Sequence, residues 1–116
     1  AAEKGHTDAQ YSLGSAYSLS RGVLEDYKEA IKWFRKSAEK GLPLSQWNMA
    51  RCYIQGQGVL EDYVTAYAWA NIAGANGEDV SSLKEFLVKK MSSDQIAEAQ
   101  RMAREMVAAN PKLMGE

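Results

Sequence analysis

Few residues in this chain could do chemistry. His6 is the single histidine and Cys52 the single cysteine. A metal site needs three or four ligands at regular spacing, and the sequence holds neither an HxxxH nor a CxxC pair. Cys52 has no histidine near it in sequence to serve as a base, so it reads as a small helical residue. The acid pairs Glu25-Asp26 and Glu61-Asp62 suggest acid–base work, but each stands just before a helix, where carboxylates satisfy free amides and favour the helix dipole. Gly56-Gln57-Gly58 contains a GxG. No strand precedes it and no third glycine follows, as a phosphate loop would need; two glycines at positive φ in a turn account for it. No catalytic residue, metal ligand or cofactor is therefore expected.

The elements around these residues explain them better. The chain has 116 residues, enough for one domain. Its 14 basic and 15 acidic residues give a net charge of −1, which makes no case for nucleic acid or an anionic membrane. The most apolar segment, Val64–Ala75, has 12 residues, well short of the ~20 that cross a bilayer. A lone cysteine makes no internal disulfide and leaves the redox compartment open.

The hexapeptide GVLEDY occurs at Gly22–Tyr27 and again at Gly58–Tyr63, 36 residues later. The same offset relates Gln10 to Gln46, Tyr17 to Tyr53, Ala30 to Ala66 and Trp33 to Trp69, and Gly5, Gly41 and Gly77 form a series. Aligning residues 6–41 with 42–77 gives 11 identities in 36 positions. AEKG at Ala2–Gly5 recurs at Ala38–Gly41, so residues 1–5 read as the tail of a preceding repeat. On that reading the absence of an apolar leader in Ala1–Gly5 says nothing of what comes before.

Each repeat reads as two helices. Helix A covers Asp8–Leu19 and Leu44–Gln55. Its core stripe is Ala9, Leu13, Gly14 and Tyr17, then Ser45, Met49, Ala50 and Tyr53, with the small Gly14/Ala50 position admitting a close neighbour. Helix B covers Tyr27–Lys40 and Tyr63–Asn76, with Asp26 and Asp62 as N-caps, Glu29 at the capping-box position, and Gly41 and Gly77 just past the C-termini. Trp33 and Trp69 share a repeat position and are expected in the core. Lys28, Lys32, Arg35, Lys36 and Lys40 form a basic side expected to face solvent.

From Glu78 the repeat pattern stops. Val80, Leu83, Phe86, Leu87 and Met91 form one helical stripe. Ser92, with Gln95 three residues on, should cap a second helix whose buried face carries Ile96, Ala99, Ala103, Met106, Val107 and Asn110. Asn110-Pro111 should end it. Residues 78–116 thus read as the polar-faced cap that a helical array needs. Charge agrees: residues 42–77 hold only Arg51, Glu61 and Asp62, against 13 charged residues on each side, as befits a middle unit covered twice.

The words A-x-x-x-L-G-x-x-Y, G-x-G-V-x-x-D-Y, A-x-x-W and a closing A-x-x-G, over residues 1–77, resemble the Sel-one-like repeat (SLR), a relative of the tetratricopeptide repeat. The segment Met91–Ala103 resembles the capping helices of many bacterial members. The resemblance implies an all-α, right-handed superhelical α/α solenoid of paired antiparallel helices with a C-terminal helical cap. It also implies a protein-interaction adaptor or scaffold, often in the bacterial periplasm, envelope or secreted space. Ser20 departs from the pattern, standing opposite Gly56; a left-handed conformation there would cost roughly 1 kcal/mol. Cys52 alone does not resemble the disulfide-stapled branch of the family.

Opposite the core stripe, helix A presents Tyr11, Ser12 and Ser15 in the first repeat and Trp47, Asn48 and Arg51 in the second, the helix that lines the concave surface in the resembled family. Aromatic and Arg residues are frequent interface anchors. The expectation is a protein or peptide partner on this face, without nucleic acid or membrane insertion, and with weak self-association through the N-terminal end. The competing expectations are that Tyr11 and Trp47 pack between neighbouring A helices, and that the chain is an accessory or spacer domain of a larger enzyme or envelope protein.

Overall fold

A computed structural model describes the backbone of residues 2–19 and 24–115, with side chains for 5–18 and 26–115. The described residues form six α-helices and a closing 3-10 turn, with no strand among them. The helices are α1 (Ala2–Leu19), α2 (Leu24–Glu39), α3 (Pro43–Gln55), α4 (Tyr63–Ala75), α5 (Ser81–Lys90) and α6 (Ser93–Ala109); the turn is Pro111–Met114. α1 packs on α2 and α3 on α4, and the pairs stack through α2 and α3. α5 and α6 close the far side of α4. This is the all-helical solenoid expected from the repeat. Ser20 and Gly22 lie outside the described residues.

The boundary between the pairs is built by three neighbouring residues. Gly41 takes a φ of 95°, and the amides of Gly41 and Leu42 turn back onto the carbonyls of Ala38 and Ser37, closing α2 in a Schellman motif. Leu42 is extended, as the residue before a proline must be, and Pro43 opens α3. The equivalent break expected after Gly5 does not form: α1 runs through it without interruption. Position 7 is Thr where position 43 is Pro, so nothing there forces the preceding residue out of the helical region.

Helix caps divide in the same way. Asp62 caps α4, its carboxylate accepting from the Thr65 amide at 3.2 Å and the Thr65 hydroxyl at 2.7 Å. Asp26 does not cap α2, because that helix begins at Leu24 and places Asp26 in its first turn. Leu60 and Glu61, the same two residues one repeat later, lie outside α4, behind an Asp62 amide that bonds the Tyr53 carbonyl at 3.0 Å. Glu29 meets Lys32 at 3.6 Å instead of completing a capping box. Ser92 and Gln95 do form the reciprocal box expected of them, at 3.1 and 2.9 Å.

The core centres on α4. Ala66, Tyr67, Ala68, Trp69 and Ala70 are buried in succession, followed by Ile72 and Ala73. A helix apolar on every side needs neighbours on every side, and α3, α5 and α6 supply them. Gly14 lies against the buried ring of Phe34, where a Cβ would come within 2.8 Å of Cδ1, so the small position works as expected. Of the two equivalent tryptophans, Trp69 is 3 % exposed. Trp33 is only half-buried and carries the Lys36 ammonium 4.4 Å above its ring.

Several expectations about faces are corrected. Ala9 and Leu13 are exposed, because α1 lacks the second neighbour that α3 has in α2. Arg35 leaves the solvated basic side and donates to the Tyr53 hydroxyl at 3.0 Å, across the repeat boundary. Phe86 leaves the α5 stripe and stays exposed, edge-on to Tyr63 at 5.9 Å.

Beyond Asn110 the chain folds back. Leu113 is buried at the α2–α3 boundary. Its carbonyl accepts from Gln46 at 2.8 Å and Asn76 at 2.7 Å. Asn110 donates to the Glu39 carbonyl at 2.9 Å. The cap is thereby tied to both repeats.

Candidate protein-binding cleft

The offset between the helix pairs leaves a cleft of about 440 Å³, open to solvent and lined by Ser15, Ser18, Tyr27, Phe34, Trp47, Asn48 and Arg51. α1 contributes the two serines, α2 the tyrosine and phenylalanine one heptad apart, and α3 the remaining three. Four of the six partner-binding residues read from sequence meet here: Ser15, Trp47, Asn48 and Arg51. Tyr11 does not. Its ring packs against Phe34 of α2 with centroids 5.9 Å apart, which is neither the cleft face nor a packing between neighbouring A helices. Ser12 is exposed and outside the lining. Sequence reading missed Ser18, one turn beyond Ser15, and Tyr27 and Phe34, which the reading of α2 assigned to no face.

Arg51 organises the floor. Nε donates to Asn48 Oδ1 at 3.3 Å, one terminal nitrogen to Gln57 at 2.6 Å and Gln55 at 3.4 Å, and the other to Asn48 at 3.0 Å and Ser18 at 3.3 Å. Asn48 is itself anchored to the Leu44 carbonyl at 2.8 Å. Every acceptor among the described residues is a neutral oxygen, and Arg51 is the one charged residue among the described residues lining the cleft. Trp47 stands one turn before Arg51, half-buried against the core with part of its surface open to the cleft.

The other chemically capable residues are accounted for elsewhere. Cys52 is 2 % exposed; burial pushes its thiol up from the usual 9.0, against the pull of Arg51 and Arg35. His6 meets Gln10 at 3.2 Å within α1. Gly56 and Gly58 take φ values of 68° and 79°, as turn glycines should. Among the described residues no group of three His, Cys, Asp or Glu could hold a metal ion, and no helix is long and apolar enough to cross a membrane.

Paired helices stacked at a 36-residue interval, with a cleft between successive pairs, define a helical-repeat solenoid. Comparison with known proteins carries this to a family. The Sel1 repeat profile matches residues 7–42 and 43–78, and the chain belongs to the Sel1 repeat family. No curated protein matches the chain over its sequence. Among solved structures it is similar to c5321, a protective antigen present in uropathogenic Escherichia coli strains and displaying an SLR fold. The TM-score is 0.82 at 32 % identity; the match covers 97 % of this chain and 25 % of that one, so the chain spans about a quarter of that relative's length. Sel1 repeats are in general protein-interaction modules, typically without catalysis.

Proposed function

We propose that this chain is a non-catalytic adaptor that holds a peptide segment of a partner protein in the cleft between its two repeats. The observation that carries the reading is the pairing of Trp47 and Arg51 on consecutive turns of α3, one offering aromatic surface and the other a fixed cation, in a concavity open to solvent. Large aromatic and guanidinium groups in such settings supply most of the affinity of protein interfaces. Pockets with apolar walls and a few placed polar groups also select orientation.

The test is a selection of displayed random dodecapeptides against the intact chain, with selected peptides titrated by fluorescence anisotropy. Trp47→Ala and Arg51→Ala should each weaken binding by ~2 kcal/mol or more, roughly 30-fold. Their denaturation midpoints should stay far closer to wild type than that of Trp69→Ala. If Trp47→Ala destabilises the fold as much as Trp69→Ala does, or leaves binding unchanged, the assignment fails. A spacer domain would yield no binder sensitive to either substitution.

A further inference from the structure

Resting on the cleft reading, we propose that the occupant is a short extended segment that presents a carboxylate to Arg51 about three residues from an apolar side chain seated on Leu44 and Trp47.

The charge argument comes first. Among the described residues Arg51 meets amide and hydroxyl oxygens only, so its geometry is satisfied while its charge has no opposite among them. The longest contact of each terminal nitrogen, 3.4 Å to Gln55 on one and 3.3 Å to Ser18 on the other, leaves both positions weakly held. These are the positions from which a guanidinium meets a carboxylate with two parallel bonds. An arriving carboxylate displaces these two neutral contacts, while Asn48 and Gln57 keep the fork in place. A single cation with no second basic group among the described residues of the lining suits a carboxylate better than a phosphate dianion, which is commonly met by clustered arginines.

The apolar end follows from helix geometry. Leu44, Trp47 and Arg51 fall at i, i+3 and i+7, one stripe of α3. Leu44, just outside the cleft lining, is 44 % exposed and so open to contact at the head of this stripe. At ~1.5 Å per residue the stripe runs about 10 Å from Leu44 to Arg51. An extended peptide advances ~3.3 Å per residue, so about three residues separate its two contacts.

The experiment uses a random peptide library displayed with free C-termini and selected against the intact chain. Leading binders are resynthesised with Asp or Glu changed to the amide, with the C-terminus amidated, and with phosphoserine in place of the acid, then titrated against wild type, Trp47→Ala, Arg51→Gln and Arg51→Lys. The expected result is that neutralising one carboxylate weakens binding about tenfold or more on wild type and little on Arg51→Gln. Which form loses affinity tells a side-chain carboxylate from a C-terminal one. Should Arg51→Gln fail to fold, wild-type affinity must still fall as salt rises from about 50 to about 500 mM. Binders that need Trp47 but tolerate loss of every carboxylate, or that prefer phosphoserine, overturn this inference and leave the cleft reading standing. Binders indifferent to Trp47→Ala, or none at all, overturn both.

Discussion

Leu13 and Met49 occupy the same repeat position on α1 and α3, yet Met49 is fully buried while Leu13 is 42 % exposed. The difference is one of neighbours, since α3 packs between α2 and α4 whereas α1 packs chiefly on α2. Met49→Ala should therefore cost about 2–5 kcal/mol, the usual range for a buried large side chain. Leu13→Ala should cost below about 1 kcal/mol, in line with exposed substitutions. Urea midpoints of the two variants check this directly; equal losses would mean that α1 is covered in solution, and sedimentation at rising concentration would show whether a second copy covers it.

The two equivalent tryptophans should separate in the same way. Trp69→Ala removes an almost fully buried ring and should cost roughly 3–5 kcal/mol. Trp33→Ala should cost distinctly less, because its ring is half-buried and its buried indole nitrogen has no partner to lose. Chemical denaturation of both variants under one set of conditions makes the comparison.

Gln46 is fully buried, donating to the carbonyls of Ala38 at 3.1 Å and Leu113 at 2.8 Å and accepting from Asn76 at 2.8 Å. Gln46→Leu keeps the volume but removes one bond each from the Ala38 carbonyl, the Leu113 carbonyl and the Asn76 amide, which keep their bonds to the Gly41 amide and to each other. A loss of about 1–3 kcal/mol is expected, the scale of losing buried hydrogen bonds whose partners stay paired. Faster amide exchange near Leu113 should accompany it; exchange confined to α3 would contradict the three-way connection.

Cys52 should resist alkylation in the folded state and react only as the chain opens, since burial both hides the thiol and disfavours the thiolate. The sign for pH follows. The folded thiol titrates above the unfolded one, so the unfolded state loses its proton first and is favoured as pH climbs past 9.0. Stability should fall above that pH, and Cys52→Ala should flatten the slope. Rapid labelling at neutral pH without denaturant would contradict the buried assignment.

Removal of residues 78–116 strips α5 and α6 from α4, whose buried run includes Tyr67, Trp69 and Ile72. The remaining fragment should aggregate or lack a cooperative melt, because two repeats alone fall short of what a helical array needs. Circular dichroism melts and light scattering decide it.

Much of this architecture is legible in the residues. The 36-residue offset is read directly from the repeat, and the Asp62 cap and the Ser92–Gln95 box rest on local chemistry that the fold kept, though the same word does not make Asp26 a cap. Helix faces are harder to read. Periodicity gives an inner and an outer side, but a stacked helix has lateral neighbours as well, and Tyr11 turned sideways onto Phe34 while Trp47 stayed at the cleft. Leu113 was illegible because a single leucine beyond Pro111 makes no stripe. Arg35 was misplaced because its partner, Tyr53, belongs to another repeat.

The fold-back of Leu113 bears on the order of events during synthesis. In a simple stack each unit could dock on its predecessor as it leaves the ribosome. Here the seam between α2 and α3 lacks one of its Gln46 hydrogen bonds, and its covering leucine, until residue 113 has been made. The cleft sits on that same seam. A nascent chain would thus carry both helix pairs for some time before the contacts that tie one to the other are complete, and the stacking of the repeats would be secured late in translation.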